Sequence, residues 1–331
     1  MDILDAICKD FNGVISVRKN DEIILRHSCG YADINNKIPN EIDTKFATAS
    51  AGKVFVATGI LQLIESKKID LNDTIGNILD FDLKAIDKNI TIRQLLTHTS
   101  GMPDYFDESV MEEYAELWLD YPNYKIRKST NLLPLFIDKP MMFNPGSKFF
   151  YNNAGFVVLG IIIEKITGIL FDDFLKNNIF LPCEMPDTGY YELDRLPSRC
   201  ANSYIFDNVK NEYYTNIYSV DAKGTGAGGA FTTIPDIEKF WDNLLNGKLI
   251  SGKLLNEMFS LQANDNEDYY GYGIWLEKTR EGSLEPLFQG SDPGVSFISC
   301  YNRNTDFNIT LISNTGDNVW KMKNKLVENY S

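Results

Sequence analysis

Apolar residues recur at helical spacing through the middle of this chain. Segments 51–66, 92–97 and 154–167 carry apolar residues three and four positions apart, which predicts helices, and the first of them is apolar enough to be largely buried. Loops rich in Pro, Asp and Tyr separate these segments, and no fixed-period repeat is present. The middle of the chain is therefore predicted to be mainly helical.

Strand-like runs occupy both ends of the chain. Two short β-rich runs around a polar turn predict a hairpin near the start, and further strands precede a last helix. One mainly antiparallel sheet built from both termini and flanked by helices covers all these strands, so we predict an α/β (α+β) fold with an inserted, mostly helical lobe and an active-site cleft between the two parts. The predicted strands are 13–18, 22–26, 271–277, 294–301 and 307–313, the last helix is 318–330, the sheet domain is 1–75 with 221–331, and the lobe is 76–220.

Composition and charge exclude several kinds of partner. The chain has 331 residues, of which 44% are hydrophobic and 24% charged, as in folded globular proteins. The formal net charge is -14 and no dense run of Lys or Arg occurs, so binding to nucleic acid or to an anionic membrane is not expected. The pattern implies no cofactor, and the oligomeric state stays open.

The N-terminal residues and the cysteines both favour a cytoplasmic location. The start of the chain is acidic where a secretion signal is basic, and no apolar run of sufficient length follows. The five cysteines are odd in number, scattered and without metal-ligand spacing, which is more typical of a reducing compartment than of a disulfide framework. We therefore expect neither a metal site nor a membrane anchor.

Ser50 and Lys53 are a candidate nucleophile and base. Residues three apart at the start of a helix share a face, so the amine can reach the hydroxyl. At the ordinary lysine pKa of about 10.4, only about one lysine in a few thousand is neutral at pH 7, so this role requires a lowered pKa. The alternative is that Ser50 caps the helix and Lys53 is solvated. Ser16 and Lys19 have the same spacing, but on a predicted strand they point to opposite faces.

Tyr151 and Asn153 are candidates for proton transfer and for holding a substrate carbonyl. They follow a Pro-Gly turn and precede the apolar helix at 154–167, so they can face the cleft. The Tyr-x-Asn spacing alone is unspecific, because Tyr121 and Tyr214 also precede an Asn by two positions.

With these motifs in order, the chain resembles the penicillin-recognising serine enzymes, namely the class C β-lactamases, DD-carboxypeptidases and related esterases. Two further segments carry the resemblance, 95–101 (LLTHTSG) and the glycine-rich 226–233. The resemblance implies a β-lactamase/transpeptidase-like fold, a structural rather than a basic role for His98, and an oxyanion hole made by the backbone N–H groups of Ser50 and Ser291.

The family's third motif, usually Lys-Thr-Gly or His-x-Gly, corresponds by resemblance to Phe288, Gln289 and Gly290. These three are predicted to bind substrate together with Asn153, although Phe288 is alternatively a core residue. Because this segment lacks the cation of the usual motif, we do not expect it to bind a substrate carboxylate.

These residues predict a serine hydrolase of the Ser-x-x-Lys type that acts through an acyl-enzyme on a small ester, amide or peptide. Esterase or peptidase activity fits best. The alternatives are a weakly active or inactive penicillin-recognising sensor, a true β-lactamase or DD-carboxypeptidase, and a structural protein that retains only the fold.

Overall fold

An eight-stranded antiparallel sheet is assembled from both ends of the chain, as the alternation predicts. The computed structural model describes residues 8–9, 11–20, 22–107 and 109–330, so residue 21 of the predicted hairpin lies outside the described residues. The sheet order is β2-β1-β14-β13-β12-β11-β10-β9, and three two-stranded sheets pair β3 with β4, β5 with β8, and β6 with β7. The strands are β1 Gly13–Lys19, β2 Glu22–Cys29, β3 Tyr31–Asp33, β4 Ile38–Pro39, β5 Phe46–Ala47, β6 Tyr204–Asp207, β7 Glu212–Thr215, β8 Phe231–Thr232, β9 Ala263–Asn264, β10 Tyr269–Tyr270, β11 Trp275–Lys278, β12 Leu284–Asp292, β13 Val295–Asn302 and β14 Phe307–Ser313.

Helices cover both faces of this sheet and fill the middle of the chain. The predicted helices at 51–66, 92–97, 154–167 and 318–330 all form, with ends shifted by one or two residues. The α-helices are α1 Lys53–Glu65, α2 Ile75–Ile78, α3 Ile92–Leu96, α4 Asn153–Thr167, α5 Phe171–Leu175, α6 Ile234–Leu245, α7 Gly252–Met258 and α8 Val319–Tyr330, and the 3₁₀ turns include Ala49–Gly52, Tyr114–Trp118, Asn123–Lys125, Ser129–Leu135, Leu193–Arg195 and Asn216–Tyr218.

The sheet separates two hydrophobic clusters because successive side chains point to opposite faces. On one face Ile15 packs with residues of α8, and on the other Val14 joins the main core. Helix α1 lies within that main core, and the Phe55 ring meets Phe180 edge-on at 5.2 Å and Phe240 of α6 at 5.0 Å. The helix that carries Lys53 and follows the Ser50 turn is thus buried along most of its length.

The middle of the chain contains α2 to α5 and several 3₁₀ turns, together with the β6–β7 hairpin. Its division from the sheet domain at residues 76 and 220 stays a prediction. Within the described residues no single helix is long and apolar enough to cross a bilayer. Helix α4 and the segment 171–180 together have that length and apolar composition, but they meet at an angle of 76°.

The cysteines differ from the expectation of an unpaired set. Cys8 and Cys29 form a disulfide, with their Cα atoms 5.4 Å apart, because β2 ends beside the N-terminal segment. Cys183, Cys200 and Cys300 are free. The disulfide removes the cysteine argument for a cytoplasmic location, which stays a prediction.

Candidate active site

Ser50 and Lys53 form the pair that their spacing predicts. Lys53 Nζ donates to Ser50 Oγ at 2.8 Å, and the Lys53 side chain is buried, with only 2% of the residue exposed. The helix-cap alternative is wrong, because the caps here are Thr48 for the 3₁₀ turn and Gly52 for α1, and neither makes a side-chain cap hydrogen bond. The Ser16 hydroxyl instead donates to Glu238 at 2.6 Å, as expected for a strand residue that cannot reach Lys19.

The other contacts of Lys53 aim it at the serine. Its Nζ also donates to Asn153 Oδ1 at 2.8 Å and to the Ala227 carbonyl at 2.6 Å. These two acceptors lie along two of the three hydrogen-bonding directions of the tetrahedral nitrogen, and Ser50 Oγ lies along the third. A neutral amine in this position would present its lone pair to the hydroxyl, as a general base requires.

The turn that carries Ser50 is held between two glycines. A Cβ atom on Gly228 would lie 2.3 Å from the Ala49 carbonyl oxygen, and one on Gly290 would lie 2.6 Å from the Ser50 nitrogen. Ala49 itself has a φ of 48°, in the left-handed region that costs a non-glycine residue about 1–2 kcal/mol. The backbone is thus constrained where the nucleophile projects, as is common at functional sites.

Ser50 opens into a cleft of about 680 Å³. Ser291, at the end of β12, lines the same cleft, and Gly290 brings β12 against the Ser50 backbone. This placement suits the predicted oxyanion hole, whose role stays a prediction. Asn153 also lines the cleft, but its amide already bonds Lys53 and Asp104, so its predicted contact with a substrate carbonyl is untested.

Two predicted substrate contacts in the third motif are wrong. Phe288 is 2% exposed and packs among aromatic rings, including Trp241 at 5.1 Å and Phe297 at 5.8 Å, so it is a core residue. The Gln289 side chain lies on the opposite face of β12, where its Oε1 accepts from Trp320 Nε1 of α8 at 2.6 Å. Gly290 alone meets the nucleophile turn, and it does so through the absence of a side chain.

His98 has the contacts of a structural residue. It is 1% exposed, and its Nδ1 accepts from the Asn152 backbone N–H at 3.1 Å. Burial, and secondarily the charge of Lys53, hold the pKa of His98 well below its usual value, so the ring is neutral. It packs at 4.5 Å against the Tyr151 ring and thereby supports that residue.

Tyr151 stands beside Lys53 on an aromatic support. Lys53 Nζ is 5.0 Å from the centre of the Tyr151 ring, which stacks on Trp275 of β11 at 5.5 Å. We expect Tyr151→Phe to lower the acylation rate by ~10²-fold without unfolding the protein, because a positioned proton-transfer group is lost. Stopped-flow measurement with p-nitrophenyl acetate checks this. Tyr121→Phe, which removes a hydroxyl with the same Tyr-x-Asn spacing, is the control, and equal rates in the two variants would return Tyr151 to a structural role.

Spacing along the chain does not reveal several acidic groups around the cleft. Asp104 is buried behind Asn153, while Asp221 and Asp292 line the cleft wall. Asp104 follows the 95–101 motif by three residues, and Asp292 follows Ser291 directly, but only the fold brings them to the site.

Comparison with known proteins agrees with this geometry. The Beta-lactamase family model matches residues 5–324. Penicillin-binding protein 4* of Bacillus subtilis (strain 168) is 30% identical over 304 residues, which are 86% of this chain and 64% of that protein, so the chain spans just under two thirds of its length. The crystal structure of a penicillin binding protein from Bacillus halodurans is 33% identical, covers 99% of both chains and has a TM-score of 0.94. The D-amino acid amidase of Ochrobactrum anthropi SV3, complexed with D-phenylalanine, is 26% identical over 95% of this chain and 91% of its own, with a TM-score of 0.76. Together with the buried Ser50–Lys53 pair, the match along nearly the whole chain shows that this protein belongs to the beta-lactamase family and has its fold.

Proposed function

We propose that this chain hydrolyses small esters or amides through an acyl-enzyme on Ser50. The observation that carries the proposal is the 2.8 Å contact between Lys53 Nζ and Ser50 Oγ at the floor of an open cleft. Lys53, with Tyr151, takes the hydroxyl proton as the oxygen attacks the carbonyl and returns it to the leaving group, and water then releases the acid. The backbone N–H groups of Ser50 and Ser291 stabilise the oxyanion.

Intact-protein mass spectrometry tests this function. The protein is exposed to activated esters, a penicillin and D-alanyl amides, and a mass increase on Ser50 that decays with product release is the expected result. A stable adduct without turnover would favour the sensor alternative. Absence of any adduct on Ser50 would contradict the proposal.

The cleft favours substrates that carry a protonated amine near the reacting carbonyl. Asp221 and Asp292 share its wall with Ser50, and Tyr114 donates to Asp221 at 3.3 Å. Burial, and secondarily the charge of Asp292, raise the pKa of Asp221 to about 8, so Asp221 holds a proton at neutral pH. A substrate ammonium beside it would favour the ionised carboxylate and would take the place of that proton. An aminoacyl ester or amide has this charge, and the amidase relative, by its name, acts on amides of D-amino acids. A substrate carboxylate would gain no such cation contact there, and it would disfavour ionisation of Asp221.

We expect Asp221→Asn to reduce the preference for a free amine by about tenfold, because one charged partner of the ammonium is lost. The measurement compares kcat/KM for D-alanine p-nitroanilide and its N-acetyl derivative, and the ratio of the two is the readout. Asp82→Asn, which removes an exposed carboxylate on the distant segment between α2 and α3, should leave the ratio unchanged. If the wild-type protein prefers the N-acetyl derivative, the amine preference is wrong while the acyl-enzyme mechanism stands.

A further inference from the structure

Asp104 is a buried carboxylate that holds the start of α4. It is 4% exposed, its Oδ2 accepts from the Asn153 backbone N–H at 2.6 Å, and its Oδ1 accepts from Ala154 N–H at 3.0 Å. The first N–H groups of a helix have no partner within the helix, and a negative charge there is stabilising. Asp104 also accepts from the Tyr105 N–H at 2.8 Å. Its two oxygens are thus occupied by backbone donors that fix the position of Asn153.

The same carboxylate selects the orientation of the Asn153 side chain. Asn153 Nδ2 donates to Asp104 Oδ2 at 3.3 Å, while Asn153 Oδ1 accepts from Lys53 Nζ at 2.8 Å. An amide has one donor end and one acceptor end, so the reverse orientation would place oxygen against the carboxylate and NH₂ against the lysine. The carboxylate therefore keeps an acceptor directed at Lys53.

We propose that Asp104 is a positioning residue for Lys53, which acts through Asn153 to keep the amine aimed at Ser50. This role rests on the acyl-enzyme function proposed above. Asp104 does not itself line the cleft, and the hydrogen bonds that connect it to Lys53 run through the Asn153 amide.

The charge of Asp104 gives this role a pH dependence. Burial raises the pKa of Asp104 to about 6, against the opposing effects of its N–H donors and of the Lys53 charge. Lys139 also lies against this segment, where its Nζ donates to the Asp104 carbonyl at 3.0 Å, and the charges of Asp221 and Asp292 act on the neighbouring Tyr105. Below a pH of about 6 the carboxyl is protonated and accepts fewer hydrogen bonds, so the hold on Asn153 weakens. Acylation should therefore slow as the pH falls through about 6.

Asp104→Asn tests the proposal against Asp107→Asn, the same change three residues away on a turn where Asp107 bonds Ser109. Acylation by p-nitrophenyl acetate is measured from pH 5 to 9. Asp104→Asn should lower the rate by about 10- to 100-fold, as expected for a misplaced catalytic group. It should also lose the inflection near pH 6, whereas Asp107→Asn should keep both the rate and the inflection.

A double-mutant cycle separates positioning from a general effect on the fold. In the Asn153→Ala background, Asp104→Asn should change the acylation rate by less than about twofold, because the amide through which it acts is gone. A full additional loss there would overturn the proposal. If Asp104→Asn does not fold, Asp104→Glu replaces it in the cycle, since the longer arm displaces the carboxylate. A wild-type protein that never acylates Ser50 would overturn the proposed function itself, and normal wild-type acylation with additive effects would overturn only the role of Asp104.

Discussion

Ser50→Ala is expected to lower the turnover of p-nitrophenyl acetate by at least about 10³-fold, to near the uncatalysed rate. Lys53 Nζ donates to this hydroxyl at 2.8 Å, and Ser50 lines the cleft. Removal of one oxygen atom leaves the turn, its flanking glycines and the helix unchanged, so the thermal unfolding temperature should stay close to that of the wild type. The initial rate at saturating ester, measured on protein of verified fold, gives the result.

Ser16→Ala is the control for this variant, because Ser16 has the same spacing to a lysine on β1. Its hydroxyl donates to Glu238, which Arg26 also contacts, and Ser16 is not among the residues that line the cleft. This variant should keep nearly the full rate even if it loses some stability. Equal residual rates in the two serine variants would mean that the hydrolysis does not depend on Ser50.

Lys53→Met is expected to lower the acylation rate by ~10²-fold or more, because methionine keeps the length of the side chain but has no proton-accepting nitrogen. The loss should appear in the rate constant of the burst phase of a stopped-flow trace rather than in the dissociation constant of the bound substrate, since Lys53 does not line the cleft. Asn153 Oδ1 and the Ala227 carbonyl lose a donor, so stability should fall by about 1–3 kcal/mol for an unsatisfied buried group.

Lys323→Met is the matched control, because Lys323 is also a buried lysine, 5% exposed, with its Nζ 2.5 Å from Glu277 on the opposite side of the sheet. It should lose stability without a change in the acylation rate. If both lysine variants acylate at the wild-type rate, Lys53 is not the base. The chemistry would then have to depend on Tyr151 alone.

Local spacing predicted the features that a single helix or strand determines. Strands β1 and β14 and helices α1 and α4 follow from alternation or helical periodicity that each segment carries by itself. The pairing of Ser50 with Lys53 belongs to the same class, because one helical turn sets the separation of residues three apart. Family resemblance added the order of the motifs and the place of Ser291 at the cleft.

Contacts between distant segments were decided by the tertiary structure alone. Lys53 meets Asn153 and Ala227 across separations of 100 and 174 residues, and Asp104 meets Asn153 across 49. No local periodicity links such positions. They come together because α1 packs against α4 and against the glycine-rich segment. The sequence likewise did not determine whether Phe288 is buried, because a phenylalanine suits a cleft or a core. The aromatic rings packed around it, among them Trp241 and Phe297, make it a core residue. The sequence by itself thus determined the nucleophile and the elements that carry it, whereas the groups that aim its lysine were set by long-range packing, whose energy depends on the whole core rather than on any one segment.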